Sequence, residues 1–160
     1  MTDWRHRTCW LFDMDGTLTI PAHDFAYARR ELGVPQGADI LAHLATLSPD
    51  DQARAERWLH EWEVDIAERS RPQDDALALL HSLDSSGCSL GVLTRNTRDN
   101  ALRTLRAIGM DRLFTPDLVL GRDCAPPKPH PAGVQLLLDR LGATPDNAVM
   151  VGDYLHDVRA

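Results

Sequence analysis

Short apolar runs alternate along the chain with stretches in which apolar residues recur every three or four positions. The runs at 8–14, 88–94 and 147–153, with a shorter one at 117–121, are aliphatic or β-branched and end at polar residues, as buried strands do. Between them, 99–108 carries Leu102, Leu105 and Ile108 on one face and is followed by Gly109, a helix with its stop. The segment 131–141 repeats the scheme and is followed by Gly142. Strands alternating with helices predict parallel pairing, hence an α/β fold with a Rossmann-like parallel sheet covered on both faces. In such sheets, ligands bind outside the carboxyl ends of the strands.

The alternation breaks between about Pro21 and Pro72, where the pattern is helical throughout. Its clearest helix opens with Ser48 as N-cap, Pro49 at the first helical position and Asp51 three residues after the cap. Ala55, Trp58, Leu59, Trp62 and Ile66 then share one face. An earlier helical pattern around Phe25 to Leu32 is punctuated by Gly33, Pro35 and Gly37. The expected organisation is a core built from 1–20 and 73–160, with a helical cap, 21–72, inserted after the first strand. Trp58 and Trp62 are read as helix core, and His23, His43 and His60 as surface or packing residues, because their spacing suits no metal. Arg69 and Arg71 are read as part of a solvated charged face.

Composition narrows the function. A chain of 160 residues can bury one core plus a small appended unit. Its formal net charge of −7 argues against a nucleic-acid surface, since phosphates would be repelled over most of the exterior. No window reaches membrane-spanning length, and no basic stretch leads an apolar run at the N-terminus. Cys9, Cys88 and Cys124 have no CxxC spacing, so reduced thiols and a cytoplasmic location are expected.

The candidate chemistry lies where the strands end. Asp13 and Asp15 sit one residue apart at the end of the first strand, followed by Gly16, which permits a sharp turn. Thr94, Arg95 and Asn96 close the second strand, and a helix beginning near Asn96 or Thr97 points its positive end toward the same edge. Lys128 lies between prolines, and Asp153 and Asp157 follow the last strand. Each alone is a weak signal: an acidic turn, a lysine on a stiff loop, a charge at a helix start. Their order makes a strong one.

In that order, Asp13-Met14-Asp15-Gly16-Thr17-Leu18, then Thr94, then Lys128, then Gly152-Asp153 with Asp157, the chain resembles the haloacid dehalogenase-like hydrolase superfamily, most of whose members are phosphatases. The insertion after the first motif resembles the small cap of the phosphoglycolate phosphatase-like branch. The resemblance implies that Asp13 is the nucleophile, forming an aspartyl-phosphate, while Asp15 protonates the leaving oxygen and then activates water. It also implies Mg²⁺ held by Asp13, Asp153 and the backbone carbonyl of Asp15, with Asp157 positioning Lys128 or a metal-bound water. Thr94 and Lys128, with Arg95 and Asn96 beside them, are the expected phosphate-binding groups. The substrate expected is a small phosphorylated metabolite, and the protein a monomer or homodimer.

Two alternatives stay open: a phosphomutase of the same branch and a non-catalytic Mg²⁺- and phosphate-binding module. The cap shows no obvious basic cluster for seating a bisphosphate, which favours hydrolysis. Many relatives carry serine where this chain has Tyr154, which adds bulk beside the phosphate. The resemblance also implies a further strand and helix beyond the last motif. Without a continuation past Ala160 or a second chain to cover it, 147–152 is expected to form an exposed apolar sheet edge.

Overall fold

The computed structural model describes residues 4–160. Strands β1 (Cys9–Phe12), β2 (Ser89–Leu93), β3 (Val119–Leu120) and β4 (Ala148–Val151) form one sheet in the order β3-β2-β1-β4. All pairs are parallel, with Phe12 opposite both Val92 and Val151. The central strand β1 is buried on both faces, which is why its sequence is continuously apolar rather than alternating.

Side-chain alternation sends Trp10 and Phe12 to one side of the sheet and Cys9 and Leu11 to the other. On the first side they join Leu80 of α4 (Ala76–Ser85) and Ala101 and Leu105 of α5 (Arg98–Ala107). On the second they meet Leu137 and Leu138 of α6 (Ala132–Leu141), a helix ended by Gly142 in the left-handed conformation. Among the described residues, strand β4 pairs with β1 alone. Its four residues are part-buried rather than exposed, because Val149 and Val151 pack on one core cluster and Ala148 and Met150 on the other.

Between β1 and α4 the chain forms α1 (Phe25–Glu31), α2 (Ile40–Leu44) and α3 (Pro49–Arg69). Ser48 caps α3 and Pro49 opens it, as read from the sequence. These helices bury a cluster of their own, Ala28, Val34, Ile40, Leu44 and Leu59, with Trp58 and Trp62 packed at its margin. The two tryptophan rings stack with centroids 5.9 Å apart. The helical pattern of this segment is interrupted at Gly33 and Gly37, whose φ values of 66° and 80° no helix can accommodate. Among the described residues no helix is long and apolar enough to cross a membrane. Cys9, Cys88 and Cys124 are free thiols.

Candidate active site

The segments that follow β1 and β4 and the loop after β3 converge on one buried ammonium group. Lys128 is 2% exposed, and its Nζ donates to Asp13 Oδ1 and to Asp157 Oδ1, each at 2.6 Å. Asp13 follows β1 directly, and its backbone N–H still extends the sheet by donating to Val151. Asp157 lies in α7 (Leu155–Val158) and its other oxygen accepts the Tyr154 N–H at 3.0 Å, closing that short helix's first turn. The lysine therefore ties the first and last motifs together through residues 115 and 29 positions away.

Close approach here depends on glycine. A Cβ on Gly152 would stand 2.3 Å from the Asp157 carboxyl carbon, so no larger residue lets Asp157 reach the lysine. Gly16, with φ of 90°, faces Asp153 in the same way: a Cβ would come within 2.3 Å of Asp153 Oδ2. The acidic turn thus packs against the loop carrying Asp153. Asp13, Asp153 and Asp157 each offer an oxygen within 4.8 Å of the others. Hard carboxylate oxygens at this spacing suit a hard divalent cation. Asp157 has both oxygens engaged, one by Lys128 and one by the Tyr154 N–H, whereas Asp13 gives only one to Lys128, so Asp13 and Asp153 are the side chains suited to hold such an ion. The donor set therefore fits Mg²⁺.

Burial, and after it the crowding of negative charge, raises the affinity of this site for protons. Burial pushes Asp13 up to about 7 against the pull of Lys128, with Asp157 and Asp15 adding repulsion. Burial, then Glu63, and further Asp153 push Asp15 up to about 6, while Lys128 and a hydrogen bond with Thr94 oppose the rise. Both values exceed the ordinary range near 4. Without cation the folded chain therefore holds protons that the unfolded chain has released between about pH 4 and pH 7, so stability falls as pH rises through that window. His23 and His156, both lowered chiefly by burial, act in the opposite direction, but the carboxylates, raised from near 4 to about 7 and about 6, are displaced further. Tm measured without Mg²⁺ is expected to fall from pH 5 to pH 7.5. Added Mg²⁺ should raise Tm more at pH 7.5 than at pH 5, because the cation competes with those protons. Equal Mg²⁺ shifts at both pH values would argue against carboxylate ligation.

Thr94 is 1% exposed and ends β2, where its hydroxyl accepts the Asn96 N–H at 3.0 Å. Asn96 is buried, and its side-chain oxygen accepts from the Thr97 N–H at 2.8 Å and from Asn100 Nδ2 at 3.2 Å. The helix that follows begins one residue later than Thr97, which caps it. Its leading N–H groups are already taken: Thr97 accepts from Asn100 and Asp123 from Arg98. The expected anion-attracting helix end is thus largely satisfied by neighbouring side chains. Arg95 faces the helical segment and pairs with Asp39 at 2.6 Å, leaving its buried Nε without a partner.

The sequence reading missed a second layer contributed by the helices. His23 Nδ1 lies 3.6 Å from Asp15 Oδ1, with the imidazole side chain 7% exposed, stacked on Phe25 and edge-on to Trp62. Glu63 of α3 is 7% exposed and accepts both terminal nitrogens of Arg122, at 2.7 and 2.8 Å. Arg122, just after β3, also donates to the Arg95 carbonyl at 3.0 Å. One signal for Glu63 was available: it lies on the same helical face as Leu59 and Ile66, where an acid is out of place. His23 and Arg122 had no such marker.

A family model for a haloacid dehalogenase-like hydrolase matches residues 8–160. A haloacid dehalogenase-like hydrolase domain-containing protein of Arabidopsis thaliana is 32% identical over 163 residues, covering 92% of this chain but only 63% of that protein. The chain thus spans less than two thirds of that relative's length. Phosphoglycolate phosphatase of Rhodospirillum rubrum is 33% identical over 178 residues, covering 92% of this chain and 72% of the relative. A solved structure of a hydrolase from Pseudomonas syringae has the same fold, with a TM-score of 0.80 at 20% identity over 96% of this chain and 79% of that one. The match from residue 8 to the last residue takes in the acidic turn, Thr94, Lys128 and Asp153 together, and the chain belongs to the haloacid dehalogenase-like hydrolase family.

Proposed function

We propose that this chain is a Mg²⁺-dependent phosphomonoesterase that acts on a small phosphorylated metabolite through an aspartyl-phosphate on Asp13. The observation that carries the reading is the buried Lys128 ammonium held 2.6 Å from both Asp13 and Asp157, a fixed positive charge beside a candidate nucleophile. The phosphatase name of the Rhodospirillum relative agrees with it. Residues 21–72 serve as the cap over this site.

Asp13 attacks phosphorus, forming an oxygen–phosphorus bond as the ester bond breaks. Asp15 gives its proton to the departing oxygen, and in the second half takes one from the water that cleaves the aspartyl-phosphate, returning Asp13 and releasing phosphate. A value of about 6 lets Asp15 hold or release a proton near neutrality. Lys128 and the Thr94 hydroxyl stabilise charge on the phosphoryl oxygens. Mg²⁺ held by Asp13, Asp153 and the Asp15 carbonyl would supply the remaining positive charge.

The test is phosphate release from an aryl phosphate and from sugar, glycolate and nucleotide monophosphates, with Mg²⁺ and with chelator. Mg²⁺ is expected to raise turnover by roughly 10²–10³-fold, the range for removing a principal charge stabiliser. A folded protein that releases no phosphate from any of them would defeat the proposal.

A further inference from the structure

The seam between the helical segment and the sheet carries two arginines, and a cap carboxylate occupies each. Arg122 is held by both oxygens of Glu63, with the two side chains only 15% and 9% exposed. Arg95 is held by Asp39, the N-cap of α2, at 2.6 Å. The third cation at this end of the sheet, Lys128, is shared by Asp13 and Asp157. What the arginines leave uncommitted is one buried N–H, the Arg95 Nε, a donor suited to a single oxygen.

On the Asp15 side, the helical segment offers an aromatic wall beside a carboxylate. His23 stacks on Phe25 at 5.3 Å and meets Trp62 edge-on, and Trp62 adjoins Glu63 in α3. Glu63 is close enough to repel charge on Asp15, so its field reaches the proton donor that faces the leaving group. Among the described residues, a leaving group here meets flat rings and a buried acid, while Arg95, Arg122 and Lys128 are each already paired with a carboxylate. A hydroxyl can donate to a carboxylate and stack its carbons on a ring. A second carboxylate or phosphate would have to separate Glu63 from Arg122 and leave a charge buried without its partner.

We propose that Glu63, by occupying Arg122, excludes a second anionic group from the substrate and selects phosphate monoesters of uncharged, hydroxyl-bearing alcohols. This rests on the phosphomonoesterase reading and narrows its substrate class. Glu63 acts on the leaving group and Arg122 is the cation it withholds.

The test compares 2-phosphoglycolate with 2-hydroxyethyl phosphate, esters of similar size that differ in the charge of the far end. The wild-type chain with Mg²⁺ is expected to favour hydroxyethyl phosphate at least about tenfold in kcat/KM, the factor of one modest unpaired-charge penalty. In Glu63→Gln, which frees the Arg122 guanidinium, the preference should shrink about tenfold toward phosphoglycolate. Arg122→Gln breaks the same pair but removes the cation, so it should gain nothing for the carboxylated ester. A purely structural role for the pair would move both variants alike, and that result overturns the proposal. So does a wild-type preference for phosphoglycolate. Calorimetric binding of both esters to Asp13→Asn protein separates this from the underlying reading. Absence of turnover with every ester defeats the phosphatase assignment, whereas equal affinities for the two esters defeat the role of Glu63.

Discussion

Asp13→Asn is expected to abolish phosphate release, lowering turnover by roughly 10⁴–10⁶-fold, the range for removing a nucleophile from a set of groups that act together. The amide keeps the shape of the carboxylate and loses the lone-pair charge that attacks phosphorus. Fold should survive. Asp13 is 8% exposed and its ionised form is disfavoured by burial strongly enough to raise it to about 7, so a neutral amide removes an electrostatic cost. Lys128 keeps Asp157 as a partner at 2.6 Å. The variant's Tm at pH 7.5 without Mg²⁺ should equal or exceed that of the wild type. Phosphate assays with an aryl phosphate, alongside thermal melts, check both halves. Full activity in Asp13→Asn would remove Asp13 from the role of nucleophile.

Lys128→Met should damage both activity and stability, and the two losses should separate with pH. Methionine fills similar space, but it leaves Asp13 and Asp157 facing each other, 8% and 6% exposed, without the ammonium that bridges them. Deleting one member of a buried ion pair costs about 3–5 kcal/mol when the remaining charge persists. These carboxylates can instead take up protons. Loss of Lys128 removes a group that lowers Asp13, so its affinity for protons rises further. A carboxyl raised in the folded state contributes stability at low pH that is lost as pH rises through its folded value. The deficit relative to wild type should therefore be largest at pH 7.5 and shrink toward pH 5, as urea titrations at the two pH values would measure. Activity should fall by roughly 10²–10³-fold, as for loss of a stabiliser of developing charge. A deficit independent of pH would mean that packing, rather than charge, sets the role of Lys128.

Much of this arrangement is legible locally. Apolar runs that end in aspartate or threonine mark strands whose tips carry chemistry, because a parallel sheet buries its strands and exposes only their ends. Ser48 and Pro49 announce α3, and Gly142 ends α6, since capping is settled by a few adjacent residues. Strand limits were drawn wide at both ends. The run from 147 to 153, for example, contains only Ala148–Val151 as strand. The flanking residues belong to a short turn and to the acidic loop, whose backbone bonds the apolar pattern does not record.

The segment 21–72 was readable as helices but not as a neighbour of Asp15. His23 looked like one of several scattered histidines, and only the folded chain brings its ring to 3.6 Å from Asp15. Glu63 and Arg122 lie 59 residues apart, and Arg95 and Asp39 56 apart, in segments whose local patterns do not depend on each other. The sequence by itself determined the α/β alternation, the helical insertion and the order of the residues gathered around Lys128, because strand burial, capping and turn chemistry act over a few neighbouring positions. Only the tertiary structure decided which carboxylate meets which cation across the seam, because such pairing depends on how α3 lies against the loop after β3, and no short-range spacing encodes that approach.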